Sequence, residues 1–307
     1  MFFSTREEVE YLTPNWKGER SDDGRPRVPD SLLDRMRELT LEEVWVYCWA
    51  RNFEFLVERD LKTTHPTTRK LVGRALTITC VPFREDLHQI CKAEAAAFGF
   101  KNPYYNHCAV DRLVEGDVMV VNFFDKIAYG TFFGGNLSTA VANKTKNGGA
   151  VIWGGIRDLD QVKQIPNIQI YYRGSHPTPI RDYVMTGYNR PCQVGEAVCM
   201  PGDVVFGGSG GVVFVPAHMA EDTVQSAEKY HIMDKFSFTR LKEHKYEASQ
   251  IDNAWTKDMW DDFLGWFRNE PEMEKYQYLD YITDMENQLN GIQPIRNRGL
   301  EGLLYKP

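Results

Sequence analysis

The 307-residue chain has no run of about 18 consecutive apolar residues, so nothing in it reads as a membrane-spanning helix. Positive charge is in deficit: 36 Lys and Arg against 43 Asp and Glu leave a net charge of −7. A nucleic acid partner needs a basic footprint, and this balance does not offer one. Cysteine is sparse. The six present (Cys48, Cys80, Cys91, Cys108, Cys192, Cys199) show no C-x-x-C spacing, which argues against a disulfide framework or zinc site and predicts reduced, mostly buried thiols. The opening MFFSTREEVEYLTPNW lacks the basic start, apolar core and small-residue cleavage site of a secretory leader. There is no H-x-x-x-x-H pair. No P-loop, Gly-x-Gly-x-x-Gly or Gly-x-Ser-x-Gly stands between a strand and a helix. Internal repeats and low-complexity segments are missing as well. These absences leave a soluble, cytoplasmic globular protein. With 42% hydrophobic residues it can bury one large core or two smaller ones.

What is present has an order. Residues 1–30 are polar and rich in turn formers (KGERSDDGRPRVPDS), and read as an arm. SLLDRMREL and TLEEVWVYCWARNFEFLVE have helical spacing to about Glu58, with Thr40 and Glu43 as a capping box. Alternating or glycine-bounded apolar runs predict strands at about 72–81, 117–123, 149–154, 168–172, 203–207 and 211–216. Residues 85–110 read as helix then loop, and AHMAEDTVQSAEKYHIMDKFSFTRLKEH as a long helix. Beyond residue 241 the chain turns aromatic and acidic, as an appended helical element whose Trp255, Trp260 and Trp266 must pack against something. The expected division is therefore 1–30, 31–241 and 242–307.

One stretch concentrates chemistry: GGNLSTAVANKTKNGGAVIWGGIRDLDQV, residues 134–162. Gly134 and Gly135 permit close approach to the backbone, and Asn136 reads as a helix N-cap. The amides of Leu137, Ser138 and Thr139 would then face an anion in front of the helix. The helix is expected to run to about Lys146 with Gly148 as its C-cap. A buried strand follows, and Gly154–Gly155 would set Arg157 and Asp158 at its carboxyl end, where α/β proteins commonly carry function. Asp158 would also cap the next short helix. A plain helix entry and a solvated ion pair account for the same residues.

The ordered blocks GRALTIT (73–79), EGDVMVV (115–121), GGNLSTA, GGIRD, YRGSHP (172–177), PGDVV (201–205) and GVVFVP (211–216) resemble the RraA-like family. That family includes regulators of ribonuclease E activity and class II pyruvate aldolases acting on 4-hydroxy-4-methyl-2-oxoglutarate and 4-carboxy-4-hydroxy-2-oxoadipate. The resemblance covers about residues 31–241. It implies a swivelling β/β/α-type core, a mixed sheet flanked by helices, and a homotrimer or a dimer of trimers. It also implies that Asp158 holds Mg²⁺ or Mn²⁺, largely through water. Arg157 and the helix-start residues Gly135, Asn136, Leu137 and Ser138 would grip a pyruvyl group. Residue chemistry agrees, since a carboxylate is a hard ligand and a guanidinium is a fixed fork for carboxylate or enolate.

Departures from the family pattern are as specific. The acidic position twenty-one residues before Arg157 holds Asn136, and Val46 stands where an aspartate is usual. The acidic turn before the last strand is GGSGG (Gly207–Gly211), which reads as a tight hairpin. Late glutamates that reach a neighbouring protomer's site align with His231 and Asp234. His176, near Arg173, could restore acid–base capacity, although a lone loop histidine is more often a hydrogen-bonded surface group. His65 and His107 have less support. Three functions remain in view. The first is a metal-dependent aldolase or decarboxylase on a 2-oxo acid, passing through a pyruvate enolate. The second is a non-catalytic binding or regulatory protein. The third is a metal-assisted lyase or hydrolase on a larger, sugar-derived acid.

Overall fold

The computed structural model describes residues 2–65, 69–101 and 104–291. In chain order the helices are α1 (Arg6–Leu12), α2 (Asp30–Met36), α3 (Leu41–Trp49), α4 (Glu85–Ala97), α5 (Tyr105–Asp111), α6 (Gly135–Thr145), α7 (Leu159–Val162), α8 (Ala220–Lys242), α9 (Ala248–Ile251), α10 (Lys257–Asn269) and α11 (Ile282–Leu289). The strands are β1 (Val57–Glu58), β2 (Lys62–Thr63), β3 (Leu71–Pro82), β4 (Asp117–Asn122), β5 (Gly149–Ile156), β6 (Gln169–Ser175), β7 (Tyr183–Tyr188), β8 (Cys192–Val194), β9 (Ala197–Cys199), β10 (Val204–Gly208) and β11 (Gly211–Val215). The described residues form two compact units. One takes the chain up to Leu41 and Glu54–Glu221; the other takes Glu42–Phe53 and the residues from Asp222 onward.

In the first unit, one mixed sheet runs β1-β11-β10-β3-β4-β5-β6-β2, with β7 also paired to β3. The centre, β3 to β6, is parallel, and the remaining pairs are antiparallel. Strands β4 and β5 read as near-continuous apolar runs because both faces are covered. Leu76, Ile78, Met119, Val121, Ile152 and Ile170 face helices α4 to α6 through Cys91, Ala95, Val110 and Val141. Their alternating neighbours Ala75, Val118, Val120, Val151 and Tyr171 face the β8–β9 hairpin through Cys192, Val194, Ala197 and Cys199. All six expected strands are present, and five of the six cysteines are buried, with none in a disulfide. This is the expected α/β core, a mixed sheet flanked by helices.

Several boundaries differ from the sequence reading. Residues 1–30 are not a free arm. Phe3 is buried against Tyr188, and a Thr5–Glu8 capping box starts α1. Arg25 is buried and donates to both oxygens of Asp117 at 3.0 Å and to Asp23 at 2.7 Å. Polar composition hid this segment because its key contact is a buried ion pair, which needs a partner 92 residues away. Helix α3 ends at Trp49, well short of Glu58. Asn52 turns left-handed (φ 67°), and the amides of Phe53 and Asn52 close onto Cys48 and Trp49 carbonyls. The loop expected before residue 110 contains α5.

In the second unit, α8, α10 and α11 enclose Phe236, Trp255, Met259, Trp260, Phe263, Phe267 and Tyr281. Trp255 and Trp260 are buried within the unit, so they do not need an oligomer face to cover them. The compact unit begins at Asp222 and recruits Glu42–Phe53, whereas the sequence reading placed the change of character after residue 241. The Arg-bearing end of the chain, from residue 292, lies outside the described residues. No helix among the described residues is long and apolar enough to cross a membrane.

Candidate active site

The carboxyl ends of β4 and β5 meet the start of α6. After β4, residues 123–134 fold back over the end of β5. The Gly155 amide donates to Lys126 O at 2.7 Å, Phe132 to Gly155 O at 2.8 Å, and Arg157 to Phe133 O at 3.1 Å. A side chain at Gly155 would drive its Cβ to 2.8 Å from Ile127 O, so the close approach of this loop requires glycine there. Phe124, Asp125, Tyr129 and Asp158 all take left-handed backbone (φ 44°, 54°, 55° and 58°). Such conformations are costly for non-glycine residues and gather where function over-determines the backbone.

Gly134, not Asn136, is the N-cap of α6, and it provides no side-chain cap. The cap comes from across the turn: Gly135 N donates to Asp158 Oδ2 at 3.0 Å. Arg157 Nη1 lies 3.4 Å from the same oxygen, with the two side chains 36% and 27% exposed. A Cβ on Gly134 would meet Asp158 Oδ2 at 2.3 Å and Arg157 Cγ at 2.7 Å. So the first glycine of the pair makes room for the ion pair. Asp158 is the N-cap residue of α7, yet its carboxylate makes no hydrogen bond to that helix and serves α6 instead. Negative charge at a helix start is favourable.

Several expected residues sit differently. The open amides of α6 are those of Asn136 and Leu137, one residue earlier than expected, because Ser138 N already bonds Gly134 O. Ser138 is fully buried and does not reach the site. Asn136 is exposed at the second helical position. Lys146, left-handed at φ 60°, is the C-cap of α6 in place of Gly148. His176 lies beside the arginine: its amide donates to Ile156 O at 3.2 Å. Its Nδ1 receives the amides of Tyr129 (3.4 Å) and Thr178 (3.3 Å), so Nε2 carries the proton of the neutral ring. Arg173 is engaged elsewhere, by Asp125, Asp60 and the Trp153 ring. His65 is tied to Thr64 and Lys163 O. Gly207–Gly211 is a hairpin closed by the Gly208–Gly211 pair. In the second unit Val46 lies on α3, and His231 on α8 is 3.1 Å from Glu43, with Asp234 one turn further on.

Sequence reasoning missed Tyr129 and Thr178, which orient His176, and Gln161, whose Oε1 lies where a Gly135 side chain would be. Their signal is backbone conformation, which residue types do not announce. Among the described residues no three His, Cys, Asp or Glu gather as a metal cage. Asp158 still suits a hard cation of the magnesium type: Oδ2 is held by Gly135 N, and Oδ1 makes no hydrogen bond among the described residues. Such an ion commonly keeps several waters and takes one or two carboxylates.

A family model described as RraA-like, Aldolase/RraA, matches residues 50–214. The chain belongs to the RraA-like family. The family spans aldolases and ribonuclease inhibitors without catalytic activity. Among solved structures, the chain is similar to RraAS2 of Streptomyces coelicolor, described as an unusual member of the RNase ES inhibitor RraA protein family. Identity is 21% over 73% of this chain and 100% of that one, with a TM-score of 0.58. A protein from Pseudomonas syringae pv. tomato str. DC3000 matches at 18% identity over 74% and 98%, TM-score 0.59. A third, described as novel cellulases from microbes associated with the gut ecosystem, matches at 22% over 74% and 95%, TM-score 0.56. These likenesses establish the fold. No curated protein matches the chain.

Proposed function

We propose that the chain is a metal-dependent carbon–carbon lyase, an aldolase or decarboxylase, acting on a small 2-oxo acid. The observation that carries this reading is the convergence of Arg157, Asp158 and the open start of α6 at the end of β5. Arg157 and the amides of Asn136 and Leu137 bind the substrate carboxylate and keto oxygen. A divalent ion held by Asp158 would act as an electron sink. When the bond to the leaving carbon breaks, its electron pair passes into the pyruvyl enolate, and the Arg157 guanidinium stabilises the developing charge. Solvent water returns the proton to the enolate carbon, and His176, with Nδ1 anchored by Tyr129 and Thr178, is proposed to orient that water through Nε2–H. The assembly is proposed to be a homotrimer or a dimer of trimers, a mass that light scattering reads directly.

A second reading, a non-catalytic regulator, is favoured by Asn136 at the family's acidic position, with no group of three His, Cys, Asp or Glu gathered among the described residues. Steady-state decarboxylation of oxaloacetate with saturating Mg²⁺, above the metal-only background, separates the two. The lyase reading predicts turnover that falls on the order of 10²-fold in Arg157→Ala. Asp158→Ala should lose its response to metal. Asn136→Asp, which restores the family's acid on an exposed position, should raise the rate. No turnover by any of these on oxaloacetate or 4-hydroxy-4-methyl-2-oxoglutarate leaves the regulator.

A further inference from the structure

A second site lies at the other end of the central sheet. A cavity of about 460 Å³ is lined by Arg37, Arg69, Lys70, Asn147 and Asn167. Arg37 closes α2, Arg69 and Lys70 lead into β3, and Asn147 and Asn167 stand two residues ahead of β5 and β6. The cavity therefore sits at the amino ends of the strands whose carboxyl ends carry Arg157. Strand β5 is 8 residues long, so the two sites are roughly 25 Å apart at about 3.3 Å per residue.

We propose that this cavity binds a small phosphate-bearing metabolite. Among the described residues three cationic side chains and two amides line it, with no carboxylate, in a chain whose net charge is −7. This positive focus is local and not a consequence of composition. Backbone and amide oxygens fix these side chains in place. Arg69 donates to Ile168 O at 3.4 Å and to Asn167 Oδ1 at 3.2 Å, Arg37 Nη2 to Val72 O at 3.0 Å, and Lys70 to Leu39 O.

Arg37 adds an independent sign. Among the described residues its Nη1 is buried without a hydrogen-bond partner, and the carboxylate oxygen paired with it, Asp34 Oδ1, is 3.9 Å away on a largely exposed side chain. A buried donor left unpaired is costly, and a small turn of the guanidinium toward a ligand oxygen in the cavity would relieve it. Burial also pulls this guanidinium below its usual value against the opposing influence of Asp34 and Asp30, and a bound anion would counter that pull.

The chemistry selects the ligand class. Two guanidinium forks and an ammonium suit a dianionic phosphate better than a single carboxylate. The volume exceeds what a pyruvate-sized acid fills and lies in the range that holds a sugar phosphate or mononucleotide. Because Asn167 Oδ1 is committed to Arg69, its Nδ2 is left to donate, and exposed Asn147 offers a second amide for hydroxyl or ester oxygens. The proposal uses none of the residues of the lyase reading, so either stands without the other.

Calorimetric titration of the full chain with pyrophosphate and with AMP tests it, with citrate as a polycarboxylate control. The expected result is saturable binding of one phosphate ligand per chain, weakened by salt and unaffected by Arg157→Ala. It should be at least tenfold weaker in Arg69→Gln/Lys70→Gln. If that double variant does not fold, Asn147→Asp on the exposed rim should give the same weakening by charge repulsion. Absence of binding, equal binding by citrate, insensitivity to the cavity variants or loss with Arg157→Ala would each overturn the proposal.

Discussion

Gly134 shows how a missing side chain can shape a site. Its backbone is extended (φ −133°), so alanine meets no left-handed strain there, but the new Cβ would overlap Asp158 Oδ2 and Arg157 Cγ. Gly134→Ala should therefore keep the fold, with a melting temperature changed by only a few degrees. Turnover should drop on the order of 10²-fold, because about an ångström of misplacement costs that much in an aligned site. Thermal melts beside kinetics check the pair of outcomes, and an unchanged rate would show that the contact is idle. At this scale the sequence was partly legible. Arg157 and Asp158 stood out because two glycines and a buried strand precede them. That Asp158 caps α6 and not its own helix was not legible, since it depends on a left-handed turn at Asp158 itself. The shift of the open amides to Asn136 and Leu137 has the same origin, as the cap moved back to Gly134.

Elements buried on both faces announced themselves, and those set by long-range partners did not. Strands β4 and β5 and the β10–β11 hairpin have apolar runs bounded by glycine or turn residues, and β3 is β-branched and alternating, patterns that survive without knowledge of neighbours. Strands β8 and β9 are three residues each and, among the described residues, pair only with each other, so no periodicity exceeds chance. Helix α1 was hidden in a polar segment whose burial depends on Arg25 meeting Asp117. The tryptophans were correctly expected to pack. Trp260 is 1% exposed and lies against Trp255 and Phe263 at ring distances of 5.1 and 5.8 Å. Trp260→Ala should cost about 3–5 kcal/mol, the range for deleting a buried aromatic, and denaturant titration should find the loss in the second unit. A loss below about 1 kcal/mol would mean that this core is not cooperative.

The whole molecule carries a built-in response to pH through Asp203. Burial pushes its carboxyl up to about 7, against the amides of Met200 and Ala217, which favour the charged form. In the unfolded chain the same group ionises near pH 4. Between those values the folded state holds a proton that the unfolded state has lost. The contribution of Asp203 to stability is thus fully present below about pH 4 and is lost as pH rises through about 7. Asp203→Asn should flatten that part of the stability profile and gain most above pH 7. Equal slopes in both proteins would place the titration elsewhere. The central claim is that Arg157, Asp158 and the start of α6 form a 2-oxo acid site, and a crystal structure of the full chain with oxalate and Mg²⁺ tests it most directly. The account predicts oxalate held by Arg157 and the amides of Asn136 and Leu137, with the metal ion at Asp158. Saturating oxalate and Mg²⁺ that leave those residues untouched would contradict it.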